Sequence, residues 1–128
     1  MSDIPEHGHV SPQSGIFDAD ELLKILGDNR SAIDDLSRKY RQLLEEQRIQ
    51  IQQVLRDSNW TEAANLTHQL KSSSRVVGAF MLADCCENIE KSAKTETGVV
   101  AEELIDDFDK LSVLVLAAID EYLQTPIV

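Results

Sequence analysis

The sequence has 128 residues, of which 23 are acidic and 12 are Lys or Arg, giving a formal net charge of −11 near neutral pH. That length holds one hydrophobic core and hence one domain. The acidic balance argues against nucleic acid and against an anionic membrane surface, since both select basic patches.

Met1 to Gly15 mixes Pro5, Gly8, Pro12 and Gly15 with polar residues and shows no apolar period, so residues 1–15 are expected to be a disordered leader ahead of a bundle domain over 16–125. His7 and His9 stand there as H-x-H, without the cysteines or carboxylates that would complete a metal site. No charged stretch followed by an apolar core opens the chain, and the longest apolar run, Val113 to Ile119, is far short of the roughly 20 residues of a membrane span. A soluble protein is expected.

Asp18 with Glu21 reads as the cap of a short helix whose apolar side is Leu22, Leu23, Ile25 and Leu26, with Ile16 and Phe17 as its staple and Gly27-Asp-Asn29 as its stop. Ser31 with Asp34 marks the next start. From there Ile33, Leu36, Tyr40, Leu43, Leu44, Ile51, Val54 and Leu55 repeat at helical spacing to about Asp57, predicting a helix on the order of 40 Å long. Gln47 falls on that stripe, where it is expected near an end of the core or bonded to a neighbour. Arg38, Lys39, Arg41, Gln42, Glu45, Glu46 and Arg48 read as a solvated face.

Asn59 with Glu62 caps a third helix, with Trp60 as an apolar anchor at its entrance. A fourth begins at about Ala79 and turns Leu82, Cys85, Cys86, Ile89 and Ala93 inward. Adjacent cysteines suit neither a loop-closing disulfide nor a metal-ligand spacing, so they are read as small core residues in a reducing, cytoplasmic setting. Thr95 to Gly98 breaks the pattern. A last helix from about Val99 repeats Leu104, Phe108, Leu111, Val115, Ala118 and Tyr122, widened by Ile105, Ile119 and Leu123, and Pro126 lies beyond its end. These elements predict an all-α protein: an antiparallel up-down-up-down four-helix bundle with a short additional N-terminal helix. With the apolar faces used inside the bundle, a monomer is expected.

The third helix carries the chemistry. At about 100° per residue, Ala63, Leu66, Thr67, Leu70, Ser74 and Val77 share one face and His68 points the other way, into solvent. A neutral imidazole has a free lone pair on one ring nitrogen and can attack phosphorus. Ala64 and Ser72, one turn to either side, would keep the surface low for a partner's acidic pocket. Lys71, an exposed lysine on the next turn, would offset incoming negative charge, and Arg75 adds a second cation. Gly78 then ends the helix.

His68-Gln-Leu-Lys71-Ser-Ser73-Ser74, followed by Gly78-Ala79, resembles the signature of histidine phosphotransfer (HPt) domains, H-x-L-K-G-[SA]-[SA] and then G-[AL]. The agreement holds at His68, Leu70, Lys71, Ser73, Ser74, Gly78 and Ala79, departs at Ser72 where the family most often has glycine, and extends with the helix order over roughly Ile16 to Leu123. The resemblance implies that His68 is phosphorylated and that Lys71 stabilises the phosphoryl group. It implies that Glu90, at the position from which such domains supply a glutamate or glutamine, accepts a hydrogen bond from the Nδ1–H of His68. Ala64, Gln69, Ser72 and Arg75 would meet the partner. The implied partners are response-regulator receiver domains and a hybrid sensor histidine kinase in a two-component phosphorelay. Magnesium is expected in the receiver, and no cofactor or metal in this chain.

No phosphate-cradling glycine loop or kinase-like set of metal ligands is present in the sequence, so the protein is expected to receive phosphate and not to split ATP. Two other readings have less support. A hydrolase using His68 as base and Ser72 as nucleophile would need a pocket and oxyanion donors that a convex helix surface does not offer. A passive helical interaction module would leave His68 incidental.

Overall fold

The computed structural model describes residues 15–95 and 97–124. The leader expected over 1–15, apart from Gly15, together with His7, His9 and Pro126, lies outside the described residues. Those described form five helices: α1 (Asp20–Leu26), α2 (Arg30–Arg56), α3 (Trp60–Val76), α4 (Phe80–Ala93) and α5 (Glu102–Gln124). There is no strand among them. Among the described residues no helix is long and apolar enough to cross a membrane.

Side-chain oxygens set several of the helix starts. Asn59 caps α3 by accepting from Glu62 N–H at 3.3 Å, which satisfies one of the free donors at that end. At α2 the cap is Asn29, accepting from Ala32 N–H at 3.0 Å, and not Ser31. Both residue types cap well, and the tight Gly27–Asp28 turn places Asn29 first. At α1 the cap position is Ala19, which makes no side-chain bond. Asp18 stands one residue earlier and accepts from Asp20 N–H at 3.0 Å through its carboxylate. The α5 helix begins at Glu102 and not at Val99: the residues before it are not helical, and Val100 among them is buried in the core at 4% exposure.

Helices α2, α3, α4 and α5 pack each against the next, and α5 closes back on α2. That is a four-helix bundle with short connections and antiparallel neighbours. Leu44, Ile51, Leu70, Leu82, Ile89, Phe108, Val115 and Ile119 are fully buried at its centre. Cys85 and Cys86 are buried among them. Burial pushes the Cys85 thiol up to about 12, and raises that of Cys86 too, so both stay protonated packing groups.

The α2–α5 seam differs from the solvated face expected for α2. The Arg41 guanidinium binds both oxygens of Asp120, and Gln52 donates to Asp109 at 2.7 Å, which together fix the antiparallel register. Arg48 Nε and Gln47 Oε1 are buried without a hydrogen-bond partner among the described residues, so Gln47 is not held by a neighbour through that atom.

Helix α1 lies against one end of the bundle through Leu22 and Leu26, while Leu23 and Ile25 remain exposed. The segment leading into it is tied to the α3–α4 turn: Asp18 N–H donates to Val77 O at 3.3 Å, and Met81 N–H donates to Gly15 O at 2.8 Å. Gly78 makes this approach possible. Its φ of +76° is in the left-handed region, and a Cβ there would stand 2.6 Å from the carbonyl oxygen of Asp18. The Phe17 and Tyr122 rings pack edge to face with centroids 5.7 Å apart, and the Arg30 guanidinium lies 4.5 Å from the Tyr122 ring centroid.

Candidate functional site

Helix α3 is anchored by the face opposite its histidine. Ala63, Thr67, Leu70 and Ser74 are buried, Thr67 Oγ1 donates to Ala63 O at 2.7 Å, and the Ser74 hydroxyl meets the Tyr40 hydroxyl at 2.7 Å. With rotation about the helix axis fixed this way, the His68 side chain is left 59% exposed.

Glu90 on α4 comes to this ring from the side. Its Oε2 lies 3.0 Å from His68 Nδ1 and accepts from Lys94 Nζ at 2.8 Å, while its Oε1 accepts from Lys71 Nζ at 2.9 Å. The Glu90 side chain is only 8% exposed. Burial opposes its charge, but the hydrogen bonds from Lys94 and Lys71 and the nearby cations outweigh burial and hold the carboxyl at about 2. It is therefore ionised at neutral pH. An ionised carboxylate can only accept, so it selects the imidazole tautomer with the proton on Nδ1 and leaves the Nε2 lone pair free and outward.

A second group lies on the same α3–α4 flank. Glu87 takes Arg75 Nη2 at 2.6 Å and Lys91 Nζ at 2.9 Å, and these hydrogen bonds hold its carboxyl at about 2. Arg75 Nη2 also lies 3.9 Å from Asp84. In a chain with net charge −11, Lys71 and Lys94 thus meet on the carboxylate that faces His68, and Arg75 and Lys91 meet on Glu87 along the same flank.

Two expectations need correction. Ala64 is not part of an open surface beside the ring: it is 4% exposed, because α4 packs along that flank of α3. Lys71 is not an exposed lysine. Its side chain is 15% exposed, with the stem laid along the α3–α4 interface and the ammonium on Glu90. Gln69, Ser72 and Arg75 are exposed. The Ser72 hydroxyl donates to His68 O at 3.5 Å, along its own helix and not to the imidazole, so no serine–histidine nucleophile pair is built.

Sequence reasoning missed Lys94. Its spacing from Glu90, four residues on the C-terminal side, is that of a helical Glu–Lys pair and was the available signal. It also missed a groove of about 350 Å³ between α2 and α3, lined by Leu36, Tyr40, Leu43, Ser73, Val76 and Val77. Among the described residues, no group of three or more His, Cys, Asp or Glu is placed to hold a metal ion.

The family model of the Hpt domain matches residues 35–125, a span that takes in most of α2, all of α3 and α4, and α5. All of the residues around His68 fall inside it, and α1 falls outside. No curated protein and no solved structure matches the chain.

Proposed function

The chain belongs to the Hpt domain family, whose members are phosphotransfer modules in phosphorelays, and on that footing we propose that His68 accepts a phosphoryl group from an aspartyl phosphate and passes it to another. The observation that carries this reading is the exposed imidazole whose Nδ1 is held by a buried, ionised carboxylate. In the forward step the Nε2 lone pair attacks phosphorus, an N–P bond forms, and the acyl P–O bond breaks with its electron pair returning to the donor carboxylate. No proton need move, since Nδ1 already carries one. The reverse step, to a second receiver, runs through the same geometry.

Membership of the family supports the donor and acceptor class. This chain offers a nucleophile on a convex surface with Lys71 and Lys94 beside it, and a receiver domain would bring the acidic pocket that holds the aspartate and its magnesium. Receiver domains and sensor kinases are the partners of Hpt domains in phosphorelays. Exposed Gln69 and Ser72 flank the ring, and the apolar α2–α3 groove beside Ser73 offers contact area to a docking helix. Lys71 holds Glu90 in place and adds positive charge close to the phosphoryl group.

The test is the chemistry of the bond. Incubation with a phosphorylated receiver domain labels the wild-type chain with an acid-labile, alkali-stable phosphate, and His68→Gln takes none. A chain that never acquires label from any phospho-receiver is a passive interaction module, and the reading fails.

A further inference from the structure

Lys94 is the C-cap of α4, and it grips Glu90 twice. Its backbone N–H donates to Glu90 O at 3.1 Å, and its Nζ donates to Glu90 Oε2 at 2.8 Å. That oxygen is the one that faces His68 Nδ1. The backbone of Lys94 is fixed by the turn that follows it: Thr95 Oγ1 donates to Ser92 O at 2.7 Å, and Gly98 N–H donates to Thr95 O at 3.0 Å. Gly98, at φ +68°, passes close to Trp60 at the start of α3, where a Cβ would stand 3.2 Å from Cδ1. The ammonium is therefore delivered from an anchored end of the helix.

We propose that Lys94 is a positioning residue for phosphoryl transfer at His68: it holds Glu90 Oε2 against Nδ1 and gives the site a net positive charge before the phosphoryl group arrives. The proposal rests on His68 being the acceptor. With the imidazole neutral, Glu90, Lys71 and Lys94 together carry one net positive charge. The phosphoryl group carries about −2 on a ring that keeps its Nδ1 proton and so becomes cationic, a net change of about −1 that leaves the cluster near neutral, where without Lys94 it would stand near −1.

The two lysines divide the work by burial. Lys71 is 15% exposed and packed on Oε1, whereas Lys94 is 62% exposed on a flexible stem. Lys94 is free to leave Oε2 for a phosphoryl oxygen once Nε2 carries one. The other charged groups on this flank are engaged elsewhere, Arg75 and Lys91 with Glu87 and Arg75 also near Asp84.

The experiment uses the full chain with a phosphorylated receiver domain as donor, and compares wild type, Lys94→Gln and Lys94→Arg. Lys94→Gln is expected to shorten the phosphohistidine lifetime and slow labelling at pH 7 by roughly threefold. Lys94→Arg should restore both, and Lys94→Gln should lower the urea midpoint only slightly, because Lys94 is 62% exposed. Wild-type rate and lifetime in Lys94→Gln would overturn the proposal, as would losses that follow the urea midpoint and are not restored by arginine. His68→Gln, run alongside, separates the two claims: label that survives there overturns the acceptor assignment itself, whatever Lys94 does.

Discussion

Glu90 Oε2 lies 3.0 Å from His68 Nδ1 although 22 positions separate the two residues. Helix α4 supplies the carboxylate that orients the ring on α3, so the α3–α4 interface is both packing surface and part of the site. Removing the carboxylate frees the ring and both tautomers become accessible. Glu90→Ala is expected to slow labelling by about tenfold or more, while Glu90→Gln, which can still accept from Nδ1–H through its amide oxygen, should retain more of the rate. Stopped-flow transfer from a phospho-receiver checks the order; equal rates in the two variants would contradict it.

Lys71 is as much a part of the fold as of the chemistry. With its side chain 15% exposed and its ammonium on Glu90, Lys71→Ala should lower stability by about 1–2 kcal/mol in urea unfolding, as loss of a charged hydrogen bond at a partly buried carboxylate does. A lysine in open solvent would leave the midpoint almost unchanged. That result would show that the Glu90 contact does not hold Lys71 in solution.

Acid sensitivity has a defined window. The Glu90 carboxyl titrates at about 2 in the folded chain, against an ordinary value of 4.5, because Lys94, Lys71 and the neighbouring charges overcome its burial. A depressed carboxylate stabilises the fold fully above its unfolded value and loses that contribution as pH falls through the folded one. Stability should therefore drop between about pH 4.5 and about pH 2, and Glu90→Gln should flatten part of that slope. Chemical denaturation across this range measures it, and an unchanged slope in the variant would assign the acid loss to other carboxylates such as Glu87.

Much of this architecture is legible in the sequence because it is local. The stripes that place Leu70, Ile89 and Phe108 inside recur at helical spacing, and Asn59 stands where a cap must. His68 is legible for the opposite reason, a reactive side chain on a face that packing does not use. What depends on a second helix is not readable from the first. The wheel of α3 alone places Ala64 and Lys71 in solvent, and the packing of α4 covers both. The expectation for Glu90 rests on family resemblance, since no spacing joins it to His68. Lys94 was overlooked because a Glu–Lys pair one turn apart usually marks an ordinary helix surface. The non-helical entry to α5 is not legible because Val99 and Val100 continue the apolar pattern.

Gly78 joins the site's helix to the N-terminal segment. At φ +76°, with Asp18 backbone atoms 2.6 and 2.9 Å from a would-be Cβ, Gly78→Ala combines a left-handed backbone with a clash that side-chain motion cannot relieve. A loss of more than about 2 kcal/mol is expected. Amide exchange should show it first as lost protection at Asp18 and Met81, whose N–H groups bond across this turn. Retained protection and stability would mean that the close approach at Gly78 accommodates a Cβ.

The account stands or falls on His68 as the acceptor. The most direct measurement follows radiolabel from a phosphorylated receiver domain into this protein and out to a second, unlabelled receiver. The wild-type chain should gain label and then lose it when the second receiver is added, and His68→Gln, with an unchanged circular dichroism spectrum, should gain none. Label that persists in His68→Gln, or that appears from ATP alone with no kinase or receiver present, would contradict it.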